Sequence, residues 1–493
     1  MHEHGCLENH MIGDRLIILA CCMAVVCGCA TVKSDRRTNQ FRPAAVETSI
    51  TDVETGAEDT AINAELVSYE EPNELPAVIS GETFESEVPY SLSDFEAMAM
   101  SGNPTLQQAQ SQVTAAQGAA YQAGLYPNPV VGYSGEYDSI AAGRDETWNG
   151  GFIAQEFVTG GKLRLSREKW CQRAKIARTN FHAQQHRILN DVRSQFYQAL
   201  AAQRLVGIQR EILANGEDRV QTYQEMLNLG QTNQAGLLTA EVDLQRDRLN
   251  LNAVENEFEH AWRLLVDLTG SPELMPGILN GVIEPDQQPL DWETALSQLM
   301  ASSPEIQAAN QRIQHDRITV ERERVEPIPN LLFDVATIHT PVTDTTQTTF
   351  NVGLPIPLFD RNKGTIQQAQ ADLSQSHAEA QRLQLELRTR LATQFRDYQT
   401  SWKRVVDYDA AMLPKAKKAY EMLDDNYRAR RAAWPDVLMA QRMYLTLQAE
   451  QTRNLVMYRQ NDVAVRGMLL TGGLMTPPPP VGAGHIDAVA KPR

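Results

Sequence analysis

The sequence predicts a mixed α+β membrane fold in two tandem copies, each joining a pair of one-sided apolar strands to a very long helical hairpin. Three observations predict it. Short markers recur about 200 residues apart: Asn103-Pro104 with Ser303-Pro304, Pro127-Asn128-Pro129 with Pro327-Ile328-Pro329, Gly160-Gly161-Lys162 with Arg361-Asn362-Lys363, Gln195-Phe196 with Gln394-Phe395, and Leu268-Thr269-Gly270 with Leu470-Thr471-Gly472. That spacing is far longer than the ~20–50 residues of solenoid repeats, so it marks one duplicated unit. Next, Phe350, Val352, Leu354, Ile356 and Leu358 alternate with Thr349, Asn351, Gly353, Pro355 and Pro357, the period-two pattern of a strand with one apolar face. Finally, the segments 162–228 and 363–427 keep a three/four apolar spacing over many turns.

Taken in order, the 493-residue chain starts with an apolar run, residues 16–29 (LIILACCMAVVCGC), behind Arg15. It is too short to span a membrane and suits a signal-peptide core over residues 1–28, with Met11 as an alternative start. The run ends in Val26-Cys27-Gly28-Cys29, which resembles a lipobox and makes Cys29 the candidate lipid attachment point; an ordinary cleaved signal is the alternative. Five of the six cysteines lie in this leader and Cys171 in the body, so no disulfide framework or zinc motif is written. Residues 29–90 read as an anchor followed by an acidic linker. Thirteen carboxylates against four Lys/Arg between residues 30 and 90 supply -9 of the net -17, a composition that cannot bury a core. The Pro-rich tail, 474–493, reads the same way.

The first repeat is expected over 91–280 and the second over 281–473. Each begins with a helix (about 95–125 in the first), followed by strands at 129–138 and 147–158, or 330–339 and 346–358. Each strand has about the ten residues that a tilted membrane strand needs. Long helices follow, with stripes Ala174, Ala177, Phe181, Ile188, Val192, Phe196, Ala199 and Leu383, Leu387, Leu391, Phe395, Trp402, Val406. A turn and a return helix close each copy, at about 236–268 and 436–470. The 67 residues of 162–228 would span roughly 100 Å, as would the helix before the strands stacked on the return helix. The acidic balance excludes a nucleic-acid binder, which needs a basic patch.

This layout resembles the TolC-like outer-membrane efflux proteins over about residues 91–473. The corner PLFDRNKG (357–364), with Asp360, Arg361, Asn362, Lys363 and Gly364, is similar to that of the heavy-metal and cation branch, as is Gly160-Gly161-Lys162 in the first copy. The resemblance implies a homotrimer, four strands per chain closing a barrel in outer-membrane lipid, and a periplasmic α-helical barrel. It also implies a periplasmic adaptor and an inner-membrane pump of the RND type as partners, and no cofactor. Physics alone asks only for eight or more strands, which a dimer would also supply. The family's tip glycine is kept at Gly230, whereas the second copy has Arg430 and Arg431 there. The resemblance makes Asp436 a pore-narrowing residue; a helix-start carboxylate is the alternative.

Nothing in the sequence assembles a catalytic constellation. Gly160-Gly161-Lys162 lacks the rest of a phosphate loop, and the His182/His186 pair lacks a third ligand. The expected function is therefore that of a passive exit duct in a tripartite efflux system, possible cargo including metal cations. The rivals are a duct for type I protein secretion and a structural coiled-coil lipoprotein.

Overall fold

The computed structural model describes residues 89–140, 144–285, 288–341 and 343–479. Cys29 and both expected tails beyond these limits lie outside the described residues. The chain is mostly helical and written twice. The first copy runs β1 (Tyr90–Ser91), α1 (Leu92–Gly102), α2 (Pro104–Gln122), β2 (Val130–Ile140), β3 (Arg144–Phe157), α3 (Lys162–Asn228) and α4 (Gln234–Thr269). The second runs β4 (Leu279–Asn280), α5 (Trp292–Ser302), α6 (Pro304–Val325), β5 (Leu331–Thr340), β6 (Thr345–Gly353), α7 (Lys363–Asp407), α8 (Leu413–Arg428) and α9 (Trp434–Arg466).

Three expected boundaries are corrected. The helix before the strands is two helices, because Pro104 and Pro304 are tolerated at a first helical position but not inside a helix. Asn103 caps α2 by accepting from the Thr105 N–H at 2.9 Å. The long helix of the second copy is interrupted between α7 and α8 by a π-turn, Tyr408–Met412, in which the Leu413 N–H reaches back to the Tyr408 carbonyl. Pro414 has no N–H and its ring crowds the carbonyl four residues earlier, so one extra residue is accommodated just before it. The strand expected over 346–358 stops at Gly353. The apolar stripe also ends one residue early: Val405 is buried and Val406 is 40% exposed, because the spacing Leu391, Phe395, Tyr398, Trp402, Val405 keeps the heptad and 406 leaves it.

The core is a belt where the two copies meet. Phe95 packs its ring at 6.0 Å from Phe196 and edge-on at 5.8 Å from Trp262, whose indole donates to the Leu274 carbonyl at 3.0 Å. The second copy answers with Trp292, Phe395, Tyr398 and Tyr458 at centroid separations of 5.5, 5.8 and 5.7 Å. β1 and β4 add a short parallel pair, Tyr90 with Leu279 and Ser91 with Asn280. Polar groups lock the copies together. Asn190 donates to the Gly467 and Leu470 carbonyls, both at 2.8 Å, and Asp191 accepts from the Gly472 and Gly473 N–H groups at 3.0 and 2.6 Å. Farther along, the buried Asp247 takes a bidentate pair from Arg442 at 2.5 and 2.8 Å.

Both helix-to-helix turns use the same backbone device. The Gln231 N–H reaches the Met226 carbonyl and the Gly230 N–H the Leu227 carbonyl, at 2.8 and 3.0 Å. Arg431 to Asn426 and Arg430 to Tyr427 repeat the pattern at 2.7 and 2.8 Å. The pattern needs a left-handed residue, and Gly230 (φ 69°) and Arg430 (φ 56°) both supply it. A side chain there costs about 1–2 kcal/mol.

Two expectations follow. Arg430→Gly should raise stability by about 0.5–1 kcal/mol and Gly230→Ala lower it by about 1 kcal/mol, read as urea midpoints. Burial pushes the Asp191 carboxyl above its ordinary range, against the lowering by its two N–H donors and Arg187. The folded chain therefore keeps this proton where the unfolded chain has released it. Its contribution to stability is complete below an unfolded value of about 4 and fades as pH rises through the raised folded value. Asp191→Asn, which still accepts both bonds, should flatten that part of the stability–pH curve.

Candidate functional site

The four longer strands form one antiparallel sheet in the order β2-β3-β5-β6. Directly opposed residues share a face, so the register sorts the side chains. Val131, Ile153, Val335 and Phe350 form one row across all four strands, flanked by Tyr133 and by Phe333 with Val352. Val131, Tyr133, Phe350 and Val352 are each more than 60% exposed, so among the described residues nothing covers this apolar face. The other face carries the row Val130, Ala154, Asp334, Asn351, with Asn351 donating to Asp334 at 2.9 Å. Thr349 and Gly353 lie on that face too. Apolar residues on this face include Val130, Leu332, opposite Glu156 and Gly353, and Phe152, which lies over Gly132, where a Cβ would come within 2.4 Å of its ring. Among the described residues neither outer edge, β2 nor β6, pairs with another strand.

Each copy turns from sheet to long helix through a corner. In the first, Gly160 (φ 67°) and Gly161 (φ 68°) are left-handed, and Gly161 precedes the first residue of α3. Asn330 ties the corner: its side-chain oxygen accepts from the Thr159 N–H at 3.3 Å and from Lys162 Nζ at 3.0 Å, and its amide donates to Glu156 at 2.7 Å. Thr159 also donates to the Pro329 carbonyl at 2.5 Å. Burial lowers the Lys162 ammonium pKa. In the second corner Asn362 (φ 57°) takes the left-handed position of Gly161; its N–H donates to the Asp360 carboxylate at 2.9 Å and its side-chain amide donates to Glu323. Asparagine is among the few residues that tolerate this conformation. Here Leu358, Phe359, Asp360, Arg361, Lys363 and Gly364 line an open cavity of about 420 Å³.

At the opposite ends of the long helices, Asn233 caps α4 by accepting from the Gly236 N–H at 2.9 Å, while its counterpart Ala433 has no side chain to do so. Asp436 stands exposed in the first turn of α9, where its charge opposes the helix dipole. Tyr427 and Trp434 stack across this turn at 4.8 Å, and Arg430 and Arg431 are exposed on it. Corners and tip thus lie at opposite ends of one hairpin.

His182 meets Gln185 at 3.0 Å, and among the described residues no three His, Cys, Asp or Glu side chains are grouped as a metal site requires. Two polar clusters escaped the sequence reading because their members lie far apart along the chain. His315 contacts Asp316 at 2.8 Å and Ser376 donates to the other Asp316 oxygen, all buried between α6 and α7. The hydroxyl bonds to the carboxylate and not to the imidazole, unlike a nucleophile–base pair. Arg459 donates to the Ile283 carbonyl at 2.8 Å and lies 5.0 Å over the Tyr197 ring.

No described helix is long and apolar enough to cross a membrane. No curated protein matches the sequence. The fold is similar to that of CusC, with a TM-score of 0.64 and 17% identity over 78% of this chain and 93% of that one. It is likewise similar to VceC of Vibrio cholerae, at 0.62 and 15% over 77% and 96%, and to open-state MtrE of Neisseria gonorrhoeae, at 0.62 and 16% over 78% and 90%. The sequence profile of the outer membrane efflux proteins matches residues 97–271 and 295–469, one stretch in each copy. On that match the chain belongs to the outer membrane efflux protein family, whose members are TolC-like channels.

Proposed function

We propose that the chain is the exit duct of a tripartite efflux system, passing solute across the outer membrane from a periplasmic adaptor and an inner-membrane pump of the RND type. The observation that carries the reading is a sheet with one bare apolar face and two open edges, continued by helices of up to 67 residues. Lipid covers such a face, but open edges do not survive in hydrocarbon. Four strands cannot close on themselves, since about eight are the minimum, so several copies must share one barrel. The family likeness favours three copies and twelve strands. Cys29 would fix the mature N-terminus to lipid, with residues 29–90 as a tether; mass spectrometry of an acylated N-terminal Cys29 tests this. The Asp360–Gly364 corner resembles the cation branch, which favours metal ions as cargo.

In this reading the charge of Asp436 recurs around the symmetry axis as a ring at the narrow tip. A ring of like charge in a poorly screened pore attracts cations. Loss of the helix-start charge alone costs only about 0.3–1 kcal/mol. Asp436→Ala should thus assemble normally yet show altered single-channel conductance and weaker cation selectivity in a planar bilayer across a salt gradient. An unchanged reversal potential would leave Asp436 as a helix-start charge and send the search for the constriction to Arg430 and Arg431. Absence of stepwise conductance from the wild type would overturn the duct itself.

The sheet makes a second expectation. A charge on the lipid face at the bilayer midplane costs about 2–4 kcal/mol, and far less on the lumen face. Val352→Arg should reduce the heat-resistant oligomer on gels much more than Asn351→Arg. Equal losses would reverse the assignment of faces.

A further inference from the structure

α2 carries no charged side chain, and what it buries is mostly small: Thr105, Leu106, Ala109, Val113, Ala116 and Ala120. Such a stripe removes little apolar area from water, so packing alone holds the helix weakly. Its counterpart α6 is tied to α7 by polar groups: Arg312 meets Glu379 at 3.3 Å, and Asp316 accepts from Ser376. The polar bonds of α2 run instead to the far end of the chain. Among the described residues, Thr105 and Gln112 are the α2 side chains that bond beyond their own helix and its cap. Thr105 donates to the Gly473 carbonyl at 2.8 Å and Gln112 to the Pro477 carbonyl at 3.4 Å.

α3 offers matching groups in a row. Asp191 accepts from the Gly472 and Gly473 N–H groups. Gln184, fully buried, donates to the Gly473 carbonyl at 2.8 Å and to the Thr105 hydroxyl at 2.9 Å. Asn180 donates to the Pro478 carbonyl at 3.2 Å. Steps of four and seven residues keep the three side chains on one helix face. Segment 472–479 thus lies along α2 and α3, running from the belt toward the sheet, with Pro477 buried. The chemistry fits a proline run. Residues 476–480 read TPPPP, and prolines offer carbonyls but no N–H. Past Gly473 the groove meets them with the amide donors Gln112 and Asn180. Gly473 is the entry point: a Cβ there would come within 2.9 Å of the Ile188 Cα, so glycine alone lets the segment approach so closely.

We infer that the groove between α2 and α3 is a docking site for an extended, proline-rich chain, filled by residues 472–479 of the same chain as a strap. The strap holds α2, and α2 leads directly into β2, an open edge of the sheet. Its release would free that edge at the root. The last residues to be synthesised therefore complete the first repeat and ready its edge for assembly. Docking stands apart from the duct reading, whereas its consequence for assembly rests on it.

Gly473→Val in the full-length protein should unseat the strap and leave the groove intact. Hydrogen exchange in α2 and β2 should then quicken at least about tenfold, the factor that a net loss of one or two hydrogen bonds carries, with α6 and β5 unchanged. Heat-resistant oligomer should fall in step. A synthetic peptide of residues 472–493, added in excess, should restore both, and the same peptide carrying Gly473→Val should restore neither. Unchanged exchange in α2, an equal loss of protection in both copies, or failure of the native peptide to restore it would each overturn the strap. Exchange that responds and is restored while variant and wild-type oligomers stay equal would keep the docking site and overturn its role in assembly. A wild type that forms no oligomer would sink the duct reading, and the exchange of α2 would still decide the docking.

Discussion

Every peptide unit carries a donor and an acceptor, and hydrocarbon offers neither a partner; each unmet group there costs several kcal/mol. In the duct reading proposed above, that constraint organises this chain. The sheet is short, one-sided and edge-exposed, a poor design for a soluble domain and a workable one for a share of a closed barrel. On its polar face Asp334 and Asn351 bond across the ladder, and among the described residues nothing covers its apolar face. The helices meet the same requirement differently, by satisfying their backbones internally and burying only a stripe. They tolerate water on their outer faces and need no membrane.

Duplication makes the two halves comparable position by position, and the differences are informative. Left-handed corners are held by Gly161 in one copy and Asn362 in the other, and left-handed tips by Gly230 and Arg430. The backbone conformation persists although the residue that makes it easy does not. The long helix is continuous in the first copy and takes a π-turn before Pro414 in the second. Asn233 caps one return helix while Ala433 leaves the other to the charge of Asp436. In each case the second copy departs from the residue that local preference would select. Within the belt at Phe95, Phe196 and Trp262, by contrast, both copies contribute aromatic rings and buried aliphatic side chains. The belt holds the copies in register while the ends diverge.

Much of this was legible in the residues. Periodicity marked α3 as a long helix, because an apolar stripe sustained from Ala174 to Ala199 has no competing strand reading. Alternation fixed which side of β6 is apolar. The corner residues were found by the repeat, and their left-handed backbone is what glycine and asparagine are suited to. Boundaries set by a single proline were harder: Pro104 and Pro414 each split a helix that periodicity drew as continuous. Phe152 was placed by register, since β3 has adjacent apolar residues and alternation alone cannot assign them.

The sequence by itself determined the duplication, the element types and the apolar faces, because each is written in short local residue patterns. The tertiary structure alone decided the strand order, the Asn330 staple, the Asp247–Arg442 pair, the Arg459 clamp and the cavity at the second corner. These join residues that lie far apart in sequence, and neither composition nor spacing records which distant groups the fold will bring within hydrogen-bonding distance.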